Sequence, residues 1–118
     1  MNKPTITFTK LHKDAVIPKL YTEGAAGYDL TILEPLNINP NQFARITTGL
    51  KCELPSNLFG FITGRSGFSI KTGLEIFGNV ENGKEVIIYL KNISKVAVEY
   101  PSSTRITQLI FLIRKKLQ

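Results

Sequence analysis

Cysteine is nearly absent from this chain, and its scarcity excludes two classes of protein at once. Cys52 stands alone, so no internal disulfide can form and a zinc site with four cysteine ligands cannot be built. The stapled secreted fold is set aside, and a reducing, intracellular compartment is the expectation. Histidine is as scarce: His12 is single and lacks the partners a histidine metal site needs, so it reads as a surface residue. No apolar stretch opens the sequence, and the longest apolar run, Leu109 to Ile113, is far below the roughly 20 residues that cross a bilayer. No membrane partner is expected. Helical periodicity is missing as well, because apolar residues either alternate or come in short runs broken by turn residues.

What is present is ordinary globular material. The 118 residues are 42% hydrophobic and 20% charged, enough for one core and one domain, 1–118, and too few for a two-domain enzyme. Fifteen Lys and Arg against nine Asp and Glu give a net charge of +6, which favours phosphate-bearing or otherwise acidic partners without naming one.

The pattern is all-β. Strands are predicted over Thr5–Lys10, Tyr28–Leu33, Phe43–Leu54, Leu58–Thr63, Leu74–Phe77, Glu85–Lys91, Lys95–Glu99 and Ile106–Arg114, with turns at Asn39-Pro40-Asn41, Pro55-Ser56-Asn57 and Glu81-Asn82-Gly83. Two runs, Val86-Ile87-Ile88-Tyr89-Leu90 and Leu109-Ile110-Phe111-Leu112-Ile113, do not alternate with polar residues, so something must cover their second face. In a chain this small that cover is expected to be another subunit. Cys52 shares parity with Leu50 and Leu54, which points an inert thiol inward.

Three segments mix small residues with one strong polar group: Gly24-Ala25-Ala26-Gly27-Tyr28-Asp29-Leu30, Gly64-Arg65-Ser66-Gly67 with Lys71-Thr72-Gly73, and Thr104-Arg105-Ile106-Thr107-Gln108-Leu109. Small residues let backbone N–H groups approach a ligand, and an Arg beside a Ser suits phosphate oxygens. The same residues also fit a glycine-rich hairpin carrying a solvated Arg. Neither a P-loop nor a dinucleotide-binding glycine pattern occurs. Asp29 at a strand entry can cap backbone N–H groups, and Gln108 in an apolar strand can bond to backbone.

In order and spacing these segments resemble the trimeric dUTPase family. Residues Ala15-Val16-Ile17-Pro18 through Ala25-Ala26-Gly27-Tyr28-Asp29-Leu30 are similar to its first motif, Arg65-Ser66-Gly67 to the second, and Arg105-Ile106-Thr107-Gln108-Leu109-Ile110 to the fourth, with connecting stretches at Thr48-Gly49-Leu50 and Glu53-Leu54-Pro55. The resemblance implies a β-sandwich or jelly-roll subunit in a homotrimer. Its three sites, at subunit interfaces, would cleave dUTP to dUMP and pyrophosphate with Mg²⁺. Carried over residue by residue, Arg65, Ser66 and Gln108 would hold phosphate oxygens, and Asp29 would contact waters of the Mg²⁺.

The third motif departs from the family. Alignment on Glu85 to Asn92 places Asn79 where the family has the Asp that orients the attacking water, and Asn82 near its deoxyribose-covering Tyr. Asn79 and Asn82 thus become the nucleoside-side positions, and Glu81 is the one nearby carboxylate able to take a proton. The glycine-rich arm that forms the family's fifth motif is also missing, the chain ending at Lys115-Lys116-Leu117-Gln118. The expectation is therefore a family member that has lost catalysis and serves as a trimeric structural or interaction module, with a protein partner in a larger viral assembly. Two alternatives stand beside it: an active dUTP diphosphatase using Mg²⁺, and a module that binds dUTP or a related nucleotide without cleaving it.

Overall fold

The computed structural model describes residues 6–18, 27–64 and 72–113. Among the described residues nine strands follow one another: β1 (Thr7–Lys10), β2 (Gly27–Thr31), β3 (Leu36–Ile38), β4 (Phe43–Glu53), β5 (Leu58–Gly64), β6 (Leu74–Val80), β7 (Lys84–Asn92), β8 (Val98–Tyr100) and β9 (Arg105–Ile113). The all-β expectation holds. Seven strands form one antiparallel sheet in the order β1-β4-β7-β6-β5-β9-β2, and β3 pairs with β8 in a small second sheet. Among the described residues no helix is long and apolar enough to cross a membrane.

The large sheet is curled on itself. Phe8 of β1 lies 6.1 Å from the Tyr28 ring of β2 and 6.4 Å from Phe111 of β9, and Tyr28 and Phe111 meet edge-on at 5.7 Å. The two ends of the strand order are thus brought together by an aromatic cluster, which also contributes to the core. Inside, Leu30, Ile38, Leu50, Leu74, Val86, Ile88, Leu90, Ile106 and Leu109 are buried, each with at most 1% of its surface exposed. Along β7 the buried Val86, Ile88 and Leu90 come from alternate positions, as period-2 geometry requires. Cys52 points inward as expected and is buried.

The outward parity is apolar too. Along β7 Val86, Ile88 and Leu90 are buried while Tyr89 is 39% exposed, and Leu112 on β9 is 45% exposed. The two unalternating runs therefore have one face in the core and one outside. Phe43, Phe77 and Tyr89 form an exposed aromatic set on that outer side, with Phe77 and Tyr89 stacked at 5.9 Å and Lys91 Nζ 5.1 Å from the Phe43 ring.

Two irregularities shape the site. Strand β4 pairs with β7 from Phe43↔Lys91 to Thr47↔Ile87, then resumes at Lys51↔Glu85, a register shift that bulges residues 48–50. Gly49 takes φ 71° there. The bulge is tied down by Thr48, whose Oγ1 donates to the Val86 carbonyl at 2.7 Å, and by Glu85, whose Oε2 accepts the Gly49 N–H at 3.1 Å. The second irregularity is in β6. Its first half, Leu74 to Phe77, pairs with β7, and its second half, Gly78 to Val80, pairs with β5. Expected to end at Phe77, β6 continues to Val80 because its second half finds a different neighbour. The three-residue β3 is too short for any periodicity to announce it.

Candidate functional site

Where β6 leaves β7 the two strands splay, and a pocket of about 620 Å³ opens between them. Its walls carry Gly78, Asn79 and Ile87, the Phe77–Tyr89 stack with Arg45 at one end, and Glu81, Lys84 and Glu85 at the other. The ladder between the strands stops at Phe77↔Tyr89. Beyond that row the β6-facing edge of β7 is left without a strand partner, and backbone groups in such a position seek hydrogen bonds elsewhere. Gly78 permits the divergence: a Cβ there would stand 3.0 Å from the Ile87 carbonyl oxygen and 3.2 Å from Ile62 Cδ1.

The far end of the pocket is a tight turn. Lys84 N–H donates to the Glu81 carbonyl at 3.1 Å, and Gly83 holds φ 79°, the left-handed third position that a type II turn reserves for glycine. The turn is clamped to the end of β4, because Asn82 Oδ1 accepts the Leu54 N–H at 2.7 Å and Gly83 N–H donates to the Cys52 carbonyl at 2.8 Å. Glu81 pairs with Lys84 at 2.9 Å. Through that hydrogen bond first, and its charge second, Glu81 raises the pKa of the Lys84 ammonium above the usual lysine value.

Asn79 and Glu81, which the sequence placed two residues apart, thus line the same pocket. Asn82 sits in the adjoining turn with its amide oxygen engaged. Asp29 and Gln108 lie elsewhere on the sheet, directly opposite each other in the β2–β9 ladder, with Thr63 next in the row. Asp29 is buried, and its Oδ2 lies 3.6 Å from the Arg105 guanidinium. Gly27 makes room for Gln108: a Cβ at Gly27 would come within 2.7 Å of Gln108 Cγ. The small residue of the first segment is therefore needed by the polar residue of the third. Asn79 on β6 is three strand spacings from Asp29 on β2 in the sheet order, about 14 Å at roughly 4.8 Å per strand. One subunit does not gather these groups into one pocket. Arg65 and Ser66 lie outside the described residues.

Sequence reasoning missed Arg45, Phe77, Lys84, Glu85 and Tyr89 as pocket residues. The Phe77–Tyr89 pairing follows from the hairpin, but Arg45 reaches the site only through the β4–β7 register.

A model of the dUTPase family matches residues 13–118, and the chain belongs to that family. It is 37% identical over 115 residues to the deoxyuridine 5'-triphosphate nucleotidohydrolase of Encephalitozoon cuniculi, a match spanning 95% of this chain and 80% of that protein. The protein of the same name from Antonospora locustae is 36% identical, over 91% of this chain and 77% of its own length. Among solved structures, a dUTPase mutant of Staphylococcus bacteriophage 80alpha with dUpNHpp superposes with TM-score 0.89 over 97% of this chain and 85% of its own, at 24% identity. The fold is shared.

These relatives overturn the expectation that catalysis has been lost, since proteins matching nearly the whole chain are named as nucleotidohydrolases. The accompanying role in a viral assembly has no support. The physical reason for the correction is in the pocket. An Asn at position 79 does not leave the cavity without a carboxylate, because folding puts both Glu81 and Glu85 on its wall.

Proposed function

We propose that the chain is a dUTP diphosphatase, cleaving dUTP to dUMP and pyrophosphate with Mg²⁺ at sites completed between subunits of a homotrimer. The observation that carries this reading is the match to curated nucleotidohydrolases along almost the full chain. The splayed β6–β7 pocket supports it. A flat base with alternating N–H and C=O groups on its edge suits a slit whose backbone edge lacks a strand partner. Asn79 lies on the wall of that slit, and Asn82, with its oxygen held by Leu54, keeps its NH₂ for the nucleoside side.

Glu81 is the carboxylate we assign to the attacking water. Water adds to a phosphorus of the triphosphate, Glu81 takes the proton, and pyrophosphate leaves; a positioned base of this kind contributes about 10²–10⁴ in rate. Arg65, Ser66 and Gln108 are assigned to phosphate oxygens. The separation of Asp29 and Gln108 from the pocket within one subunit, together with the apolar outer face, favours a second copy bringing them to it.

Among the described residues no group of three or more His, Cys, Asp or Glu could cage a metal. That donor set fits a Mg²⁺ carried on the triphosphate, which binds by one or two carboxylates plus phosphate oxygens and water. Asp29 is the residue that would meet its water shell, and the ion when bound would neutralise phosphate charge.

The test is pyrophosphate release from dUTP with Mg²⁺, using Arg65→Ala as control. Release that depends on Arg65 is the expected result. Binding of dUTP without any release would overturn the reading in favour of a non-hydrolysing nucleotide module.

A further inference from the structure

Of the two cations that line the pocket among the described residues, Arg45 stands at the closed end, opposite Tyr89 in the β4–β7 ladder, and Lys84 at the turn. Lys84 opens β7 and is fixed twice through its backbone. It faces Cys52 in the ladder, and its N–H donates to the Glu81 carbonyl at 3.1 Å. The left-handed Gly83 between them reverses the chain, which brings the Glu81 and Lys84 side chains together across the turn. Their charged ends meet at 2.9 Å, Lys84 Nζ against Glu81 Oε2. The second carboxylate on this wall is engaged differently, because Glu85 Oε2 accepts the Gly49 N–H at 3.1 Å and so holds the β4 bulge. Glu81 is therefore the wall carboxylate that carries a cation of its own.

We propose that Lys84 is a positioning residue for Glu81, holding Oε2 so that Oε1 is presented to the attacking water. This rests on the assignment of Glu81 as the base of a dUTP diphosphatase. A glutamate at an exposed turn has three side-chain torsions, and a base must come within about 3 Å of the proton it takes. An ammonium is a compact point charge, and its contact with one carboxylate oxygen restricts those torsions while the other oxygen remains able to accept. The hydrogen bond from Lys84 to Glu81 also raises the lysine pKa, so the ammonium keeps its charge throughout the neutral range. The pair is open to solvent, with 72% of the Lys84 side chain and 66% of the Glu81 side chain exposed. Water screens it, and its contribution to rate is accordingly a small factor.

The experiment compares wild type with Lys84→Met, Lys84→Arg and the charge control Lys10→Met, which removes the same charge from β1, away from the cavity. Lys84→Met is also made in a Glu81→Gln background. Steady-state kinetics with dUTP and Mg²⁺ are read alongside calorimetric binding of dUpNHpp. Lys84→Met is expected to lower kcat about two- to fivefold, while KM and the dUpNHpp affinity stay within about 1.5-fold of wild type. Lys84→Arg should recover most of the loss, and Lys10→Met should match wild type. In the Glu81→Gln background Lys84→Met should change kcat by less than about 1.5-fold, since a residue acting through Glu81 has no carboxylate left to hold. An unchanged or raised kcat in Lys84→Met, a loss that persists without the Glu81 carboxylate, or an equal loss in dUpNHpp binding would overturn the proposal. A wild type that releases no pyrophosphate overturns the diphosphatase reading and this assignment with it; an active wild type indifferent to Lys84→Met overturns the assignment alone. Methionine keeps the backbone N–H that closes the turn, so the variant should fold, and matching urea midpoints check this.

Discussion

Asn92 offers the sharpest test of how this fold is held. Its side chain is wholly buried, and all four of its amide hydrogen-bonding directions are used. Nδ2 donates to the carbonyls of Ile38 at 2.9 Å and Val96 at 2.8 Å, and Oδ1 accepts from Ser94 N–H at 2.9 Å and Ser94 Oγ at 2.7 Å. One residue thereby ties the end of β7 to β3 and to the turn leading to β8. Asn92→Asp keeps the shape and both acceptor contacts but replaces two donors with an anion facing two carbonyl oxygens. Leaving those buried carbonyls unpaired costs about 1–3 kcal/mol each, so the variant should lose about 2–6 kcal/mol. That is a large part of the roughly 5–15 kcal/mol that holds a typical domain.

The new carboxylate would have a folded-state pKa above its unfolded value of about 3.9, because only its protonated form can donate to a carbonyl. A raised folded pKa means that stability is full below about pH 4 and is lost as pH rises through the folded value. The gap between Asn92→Asp and wild type, measured as urea midpoints at one protein concentration, should therefore be wide at pH 7.5 and narrow at pH 5. A variant within about 0.5 kcal/mol of wild type at pH 7.5, the range of ordinary surface changes, would refute the reasoning. So would a gap that does not move with pH.

Glu81→Gln should lower pyrophosphate release by about 10²–10⁴ while dUTP binding persists; undiminished release would return the search for the base to another residue. Gly78→Val should narrow the slit, since even a Cβ would lie 3.0 Å from the Ile87 oxygen, and weaken dUTP binding; unchanged binding in a folded variant would argue against the slit as the nucleoside site. Burial, and secondarily the Glu53 charge, push the Cys52 thiol up to about 11. Because the folded pKa is the higher one, stability should be full below the ordinary thiol range and fall as pH rises from about 9 towards 11. Folded protein should resist a thiol reagent at pH 8 that labels it rapidly in urea, and fast labelling without denaturant would refute the buried placement.

Much of the fold could be read along the chain because strands announce themselves locally. Alternation and turn residues located β4, β5, β7 and β9 to within a residue or two, and the inward face of Cys52 followed from its parity with Leu50. What escaped was decided by pairing at a distance. β6 runs on to Val80 only because β5 receives it, and β3 exists only because β8 lies opposite. The first and third small-residue segments were noticed separately, but the reason they belong together, Gly27 yielding space to the Gln108 side chain, is a contact across a ladder.

The candidate site divides along the same line. The sequence by itself determined the family, the all-β class, and the presence of Asn79, Glu81 and Asn82 on one hairpin, since these depend on residue identity and near-neighbour spacing. Only the tertiary structure decided that β6 and β7 part at Gly78 to make a pocket, that Asn82 spends its amide oxygen on Leu54, and that Arg45 enters the cavity wall. Arg45 and Asn79 are far apart in sequence, and they line one cavity because the β4–β7 register sets Arg45 opposite Tyr89. Register across a sheet is a property of every strand at once, and no local pattern contains it.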